Sequence, residues 1–137
     1  MSLQLMNIMN SEYSVLKELL QALDEQNQYL IKREVFKLDK IVKVLEEKSK
    51  TVAFWEVERR KITKNKAMRE VIVEAKDENM KRTYDNIVEL LEKVQFQKDT
   101  NQALIKQWLG FTNQMLRAIS PASAGAVRTY NALGKNR

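Results

Sequence analysis

Residues 28–36 read QYLIKREVF, and the spacing of apolar side chains around this stretch decides how the chain is arranged. Upstream of it, apolar residues recur alternately every three and four positions, the heptad pattern of helices that pack at a shallow angle. This first seam consists of Met6, Met9, Tyr13, Leu16, Leu20, Leu23, Asn27 and Leu30. A second seam begins at the very next residue, Ile31, and is therefore out of phase with the first. The phase change predicts a tight turn at residues 32–34, with a stutter in one unbroken helix as the alternative.

The rest of residues 1–119 also has the pattern of long helices. Residues 1–109 contain neither Gly nor Pro, so no local helix breaker interrupts them. The second seam is Ile31, Val35, Leu38, Val42, Leu45, Ser49, Val52 and then Trp55 or Glu56. The third is Met80, Tyr84, Ile87, Leu91, Val94, Lys98, Asn101, Ile105, Trp108, Thr112, Met115 and Ile119, with Lys98 and Asn101 interrupting its apolar character. Between them, weak periodicity indicates a connector with a short helix at residues 67–73.

These patterns predict an all-α fold, an elongated antiparallel helical bundle or coiled coil of three long helices. We place the helices at approximately residues 5–32, 35–63 and 77–119, so that residues 1–119 form one domain. Ser120 and Pro121 end the last helix, because proline disfavours helical geometry in the residue before it. Residues 120–137, SPASAGAVRTYNALGKNR, hold two of the three glycines and a lone aromatic, Tyr130. We expect this basic segment to be a flexible C-terminal tail.

The composition argues against an enzyme. Without His or Cys, the common nucleophile–base pairs and the imidazole and thiolate metal sites are excluded. We therefore expect no catalytic residue, no cofactor and no metal. The acids Glu70, Glu74, Asp77 and Glu78 recur at helical spacing, but a solvated helix face explains them more simply than a cation site. No apolar run is long enough to span a membrane, and the absence of cysteine is compatible with a cytoplasmic protein.

The formal net charge of +6 raises the question of nucleic-acid binding. Residues 1–30 carry −3 and residues 31–70 carry +6, which suits two helices whose charges partly match when packed side by side. The densest cationic cluster is Arg59, Arg60, Lys61, Lys64 and Lys66. Nearby acids dilute this cluster and no aromatic series accompanies it for base stacking. We predict that it is a solvated helix end rather than a nucleic-acid site.

The apolar stripe near the end of the third helix is wider than two-helix packing requires. Phe111 lies about 60° round the helix from Trp108, on nearly the same line as Leu104. Met115 adds an unbranched side chain of the kind frequent on adaptable binding surfaces. Plain core packing is the alternative, for Trp108 above all. We predict that Leu104, Trp108, Phe111 and Met115, together with Tyr130 in the tail, bind an amphipathic helix of a partner protein.

Four segments resemble the FlgN family of flagellar export chaperones. They are LKELLQALDEQNQYL at 16–30, LDKIVKVLEEKSKTV at 38–52 followed by VERRK at 57–61, QKDTNQALIKQWLGFTNQML at 97–116 and TYNALGK at 129–135. The resemblance implies a helical hairpin, a third long helix and a mobile C-terminus. It further implies a cytoplasmic protein that binds the C-terminal amphipathic helices of hook-associated proteins, which form the hook–filament junction. Such a chaperone keeps its clients unassembled and escorts them to the export apparatus.

Two other classes stay open at this point. One is a permanently assembled coiled-coil or adaptor subunit, and the other is a basic helical nucleic-acid binder. The sequence does not decide which junction protein is the client, or whether the chain forms a homo-oligomer. For the tail, we expect Tyr130 to act as an anchor, with Arg128 and Lys135 steering it toward an acidic partner. A tail with no role in binding is the alternative.

Overall fold

A computed structural model describes residues 2–119. These residues form four helices and no strand: α1 (Ser2–Lys32), α2 (Val35–Thr63), α3 (Met68–Ala75) and α4 (Glu78–Ile119). The all-helical prediction is therefore confirmed over this range. Besides three long helices, the connector contains the short helix α3, so the described chain has four helices rather than three. The predicted tail at 120–137, including Tyr130, lies outside the described residues.

The turn predicted within QYLIKREVF is present. Helix α1 ends at Lys32 and α2 begins at Val35, with Arg33 in the left-handed region at φ 55°. The backbone N–H of Glu34 donates to the Tyr29 carbonyl at 2.9 Å, and that of Arg33 donates to Leu30 at 3.2 Å. These bonds satisfy carbonyls at the end of α1, so the chain turns there rather than continuing as one helix.

Helices α1 and α2 contact each other in opposite sequence order. Glu12 pairs with Arg59 across the two helices, and Glu18 pairs with Lys48. Further along, Leu23 of α1 belongs to the same buried cluster as Leu45 of α2. Positions later in α1 thus meet positions earlier in α2, as the tight turn between them requires.

Helix α4 packs on a different side of α1. Leu5, Met9 and Leu16 of α1 form one buried cluster with Met80 and other residues of α4. Two α3 residues, Val71 and Ile72, belong to this cluster as well. Because α1 is in contact with both long partners, it buries a broader face than a single heptad seam. The buried residues of α1 are Leu5, Met9, Glu12, Val15, Leu16, Ala22, Leu23, Gln26 and Leu30.

The second and third seams are only partly buried. Ile31 and Val35, at the start of the second seam, are exposed, whereas Val42 and Leu45 are core residues. On α4, Leu90 is buried in place of the predicted seam residue Leu91, which is 45% exposed. A straight helix of 3.6 residues per turn drifts relative to a strict heptad, so the buried line moves by one position along a long helix.

Asp77 sets the start of α4. Its carboxylate oxygen Oδ1 accepts hydrogen bonds from the backbone N–H groups of Asn79, at 3.0 Å, and Met80, at 3.2 Å. Asp77 therefore acts as a capping residue just before the helix, and not as a member of its first turn. A carboxylate at this position also interacts favourably with the positive end of the helix dipole.

A candidate partner-binding cleft

Helix α4 continues past the turn that joins α1 and α2. Asn101 of α4 hydrogen-bonds to α1 at Leu23 and Gln26, and the Arg33 guanidinium carbon in the turn lies 5.4 Å from the centroid of the Phe111 ring. The eight residues from Thr112 to Ile119 therefore lie beyond the level of the turn. At 1.5 Å per residue they extend the helix by about 12 Å.

A cleft of about 370 Å³ opens at this end of the molecule. Helix α1 contributes Gln26 and Leu30, α2 contributes Val35, Leu38, Asp39 and Val42, and α4 contributes Ile105, Trp108, Leu109 and Thr112. Seven of these ten residues are apolar. Ligand sites typically combine such a lining with a few polar groups that fix orientation.

The cleft exists because α2 and α4 both pack on α1 but make few contacts with each other. Near the turn, α2 begins at Val35, which is 55% exposed although it continues an apolar seam. The α4 residues opposite include Trp108, which is half-buried. Two apolar helix faces that do not close on each other leave an exposed apolar groove, which is the kind of surface that marks interaction sites.

The predicted binding residues of α4 divide between two faces. Trp108 lines the cleft, whereas Leu104, Phe111 and Met115 do not. Phe111 and Met115 are each about half exposed, at 48% and 47%, and Leu104 is partly buried. Together these three residues form an outer line beside the cleft. Tyr130 lies outside the described residues, so its place relative to the cleft is not defined.

Sequence reasoning missed the α2 side of the cleft. Val35, Leu38 and Val42 belong to the predicted second seam; Val42 is buried as expected, but all three also line the open cleft. Leu30, Ile105, Leu109 and Thr112 were likewise missed as lining residues. The sequence carries one signal of this side of the cleft: α2 begins with the apolar residue Val35, directly after the predicted turn.

A buried polar network lies beside the cleft. Asn101 is 1% exposed and its side chain makes four hydrogen bonds. Its Nδ2 donates to the Leu23 carbonyl at 2.8 Å and to Gln26 Oε1 at 2.9 Å. Its Oδ1 accepts from Asn27 at 3.1 Å and from Gln97 at 3.0 Å. The Asn101 amide thus has all its donors and acceptors satisfied, which fixes α4 against α1 below the cleft.

The cationic cluster at the end of α2 is largely paired with acids. Arg59 contacts Glu12 at 3.2 Å, Arg60 contacts Glu56 at 2.6 Å and Lys61 contacts Glu58 at 3.1 Å. Lys66 pairs with Glu74 of α3. These partners lower the net positive potential of the cluster, which weakens it as a phosphate-binding surface.

Glu12 is the one strongly buried carboxylate of this network. Burial raises the pKa of Glu12 above its ordinary value of 4.5, and repulsion from Glu56 adds to the rise. The Arg59 guanidinium, at 3.2 Å, opposes the shift but does not cancel it. This is the expected result when the cost of removing a carboxylate from water exceeds its attraction to a partner.

Residues 2–119 contain neither a membrane-spanning helix nor a metal-binding cluster of side chains. No helix in this range is both long enough and apolar enough to cross a bilayer. The same residues contain no group of three or more His, Cys, Asp or Glu side chains placed to hold a metal ion. Among the four acids considered as a cation site, Glu74 pairs with Lys66 and Asp77 caps α4.

A family model described as FlgN protein matches residues 1–137 of this chain. The chain belongs to the FlgN family. The resemblance noted in the sequence is thereby confirmed, and FlgN-family proteins are flagellar export chaperones rather than enzymes. Neither a search of curated proteins nor a search of solved structures returned a match. In this FlgN-family chain, the cleft at the turn is lined mainly by apolar side chains of α1, α2 and α4.

Proposed function

We propose that this chain is a cytoplasmic type III export chaperone for the hook-associated proteins of the hook–filament junction. In this proposal it binds the C-terminal amphipathic helices of these clients, prevents their premature assembly and delivers them to the export apparatus. The observation that carries the proposal is the apolar cleft between α2 and α4, in a chain that belongs to a family of export chaperones. In this proposal the three long helices support the cleft, with α2 running antiparallel to α1.

The cleft suits an amphipathic helix in both chemistry and length. From Ile105 to Thr112, α4 presents two turns to the cleft, and Met115 and Ile119 continue as exposed apolar residues beyond the turn. A client helix that lies along this line would place side chains spaced by three and four residues against α4. Val35 and Leu38 would contact its other edge. Apolar burial in an open groove without covalent or metal bonds keeps such binding reversible.

Binding of client segments to three variants tests this proposal. Val35→Gln places a polar amide in the cleft at an exposed position, and Phe111→Ala removes a ring from the outer line. Phe96→Ala is the matched control, because Phe96 lies on α4, is 71% exposed and is absent from the cleft lining. We expect Val35→Gln and Phe111→Ala to weaken binding by about tenfold or more, as for truncated anchor residues, and Phe96→Ala to leave it unchanged.

Isothermal titration of the full chain with C-terminal segments of junction proteins measures these affinities, and circular dichroism verifies that helicity is kept. If Val35→Gln binds normally with native helicity, the cleft between α2 and α4 is not the client site. If Phe111→Ala alone binds normally, the client occupies the cleft without the outer line.

A permanently assembled structural or adaptor subunit is the second candidate function. It is favoured by exposed apolar side chains far from the cleft, among them Phe54 and Val57 of α2 and Phe96 of α4. These residues would be covered in an obligate assembly. Light scattering on the isolated chain distinguishes the two functions, because a chaperone stays dispersed until it meets a client, whereas a structural subunit self-assembles or precipitates. Homo-oligomer formation is measured in the same experiment.

A further inference from the structure

Positive charge is concentrated at the end of the molecule that contains the cleft. Residues 26–45 and 102–119, which form this end, hold seven Lys and Arg against two acids, a net of +5. The remaining residues up to 119 hold fourteen basic residues against sixteen acids, a net of −2. We refer to residues 26–45 and 102–119 as the cleft end. The excess positive charge of the helical region is therefore confined to the cleft end.

The basic side chains of the cleft end are exposed and largely lack acidic partners. They are Lys32, Arg33, Lys37, Lys40, Lys43, Lys106 and Arg117, and all seven are exposed. Among the described residues, one ion pair joins two residues of the cleft end, Lys37 and Glu34, at 3.5 Å. Lys37 also lies over the Tyr29 ring, as Arg33 does over Phe111. All seven side chains are solvent-exposed, whereas most of the cationic cluster at the far end of α2 is paired with acids.

Two of these cations lie next to the cleft on its opposite walls. Lys43 follows Asp39 by one helical turn on α2, and Lys106 precedes Leu109 by three residues on α4. Residues spaced by three or four are neighbours on a helix surface, so each lysine flanks a lining residue. Asp39 is the one acidic residue in the lining, and the seven basic residues outweigh it. A helix in the cleft would have lysine on both sides of its apolar face.

The charge argues against three occupants of the cleft. The tail at 120–137 carries three basic residues and no acid, so the cleft end repels it. A second copy that docked by the same end would bring two surfaces of +5 together. Nucleic acid satisfies the charge, but seven of the ten lining residues are apolar and offer it no complementary surface. A helix with an apolar face between acidic flanks satisfies both the lining and the charge.

We propose that the cleft selects amphipathic helices whose apolar face is flanked by Asp and Glu residues. This inference rests on the proposed function, since it specifies the chemistry of the client helix. Lys43 and Lys106 determine selectivity by interacting with the acidic flanks, while the apolar lining supplies most of the contact area. Rim charges of this kind act mainly on partner choice and on the rate of association.

Two synthetic peptides of roughly five turns, about 18 residues each, test the selectivity. Both carry leucines at positions i, i+3, i+4 and i+7, and they differ only in having Glu or Lys beside the apolar face. Fluorescence anisotropy of labelled peptides with the full chain gives the two dissociation constants. We expect the Glu-flanked peptide to bind at least about tenfold more tightly, and its advantage to shrink as salt is raised.

A pair of charge-reversal variants assigns the selectivity to the cleft. The variant Lys43→Glu with Lys106→Glu should lower the affinity for the Glu-flanked peptide by about tenfold and raise that for the Lys-flanked peptide. The matched control is Lys50→Glu with Lys98→Glu, which also changes one exposed lysine on α2 and one on α4 but outside the cleft end. The control should change either affinity by less than about twofold. Circular dichroism establishes that both double variants keep their helicity.

Each other outcome overturns the inference in a distinguishable way. Equal binding of both peptides, unaffected by the cleft-end reversal, rejects acidic selectivity while leaving the cleft as a helix site. If neither peptide binds, the inference falls, and the titration with junction-protein segments decides separately whether the proposed function falls with it. Tighter binding by residues 1–119 alone would assign the cleft to the tail, and a dimer dissociated by peptide would assign it to a second copy. Preferential binding of a labelled DNA duplex would assign it to nucleic acid.

Discussion

At the scale of single residues, the polar seam residue Asn101 has a structural role that the apolar pattern of the sequence does not show. A polar residue interrupts the apolar pattern of a helix seam, yet this side chain is almost completely buried and fully hydrogen-bonded. Its four bonds join α4 to α1 through backbone and side-chain groups. Such a network allows only one register between two otherwise apolar helices, because any sliding leaves buried amides without partners.

Asn101→Leu is expected to lower the free energy of unfolding by about 2–4 kcal/mol, because it leaves the buried Gln26 amide and the Leu23 carbonyl without their partner. The matched control is Asn86→Leu, the same substitution at an exposed position of α4, which should change stability by less than about 0.5 kcal/mol. Urea denaturation followed by circular dichroism measures both. Increased stability of Asn101→Leu would mean that the network costs stability and serves only to specify the register.

Glu12 makes stability depend on pH in a defined direction. Because burial raises its pKa in the folded state, the folded chain holds this proton more tightly than the unfolded chain does. Its contribution to stability is therefore largest below the ordinary pKa of 4.5 and decreases as the pH rises from there through the higher folded pKa. Glu12→Gln mimics the protonated form and should remove this decrease.

The measurement is the difference in free energy of unfolding between Glu12→Gln and the parent chain across a pH series. This difference should shift in favour of the variant as pH rises through that window. Glu18→Gln, in the more exposed pair with Lys48, provides the comparison for the loss of a carboxylate between α1 and α2. The opposite slope for Glu12→Gln would show that attraction to Arg59 outweighs burial.

At the scale of elements, the helix ends were predicted less well than the helices themselves. The pattern indicated where α2 and α4 run, but not that lysines occupy left-handed positions after α2 and α3. Lys64 has φ 55° and Lys76 has φ 51°, although glycine is the residue that adopts this conformation without steric cost. The order of packed elements imposes these conformations, since the chain must turn between α2 and α3 and again between α3 and α4.

Lys76→Gly is expected to raise the free energy of unfolding by up to about 1 kcal/mol, since it removes the steric cost of a left-handed residue. The gain is limited because glycine also increases the entropy of the unfolded chain. Lys98→Gly, at an exposed position within α4, should instead lower stability by about 1 kcal/mol. Thermal and urea denaturation of the two variants checks both signs. A loss of stability in Lys76→Gly would show that the Lys76 side chain itself contributes to the joint between α3 and α4.

At the scale of the whole molecule, the two ends of the long helices differ in packing and charge. At one end, α3 residues join the buried cluster formed by α1 and α4, and most of the cationic cluster of α2 is paired with acids. At the other end, α2 and α4 enclose an apolar cleft with exposed lysines beside it, and α4 extends past the turn. One end is thus closed by packing and ion pairs, and the other presents the open cleft that we propose for binding.

Removal of residues 120–137 tests whether the tail belongs to the binding end. If Tyr130 anchors a partner, the chain ending at Ile119 should bind junction-protein segments or the export apparatus more weakly, at unchanged helicity. Titration measures binding to the junction-protein segments, and an assay in cells that lack the full-length chain measures export. Unchanged binding together with unchanged export would remove the tail from the mechanism.

The sequence by itself determined the helices and the main turn. A helix needs only local hydrogen bonds, so the lack of Gly and Pro up to residue 109 and the seam spacing were enough to predict α1, α2 and α4. The phase change at Ile31 located the turn because side chains on one helix face must recur in phase. The sequence singled out Trp108, which lines the cleft, for the same local reason, since a wide apolar stripe is visible in the sequence of one helix; its role in binding stays a prediction.

Only the tertiary structure decided how the faces meet. In the tertiary structure, α2 and α4 both pack on α1, and the buried Asn101 amide finds its hydrogen-bond partners. Most of the cationic cluster of α2 is paired with acids, and a cleft lies between α2 and α4. Each of these features joins residues that are distant in the chain, such as Glu12 with Arg59 or Val35 with Trp108. Periodicity states which side chains share a face, but the choice of partner for that face depends on the packing of all helices together.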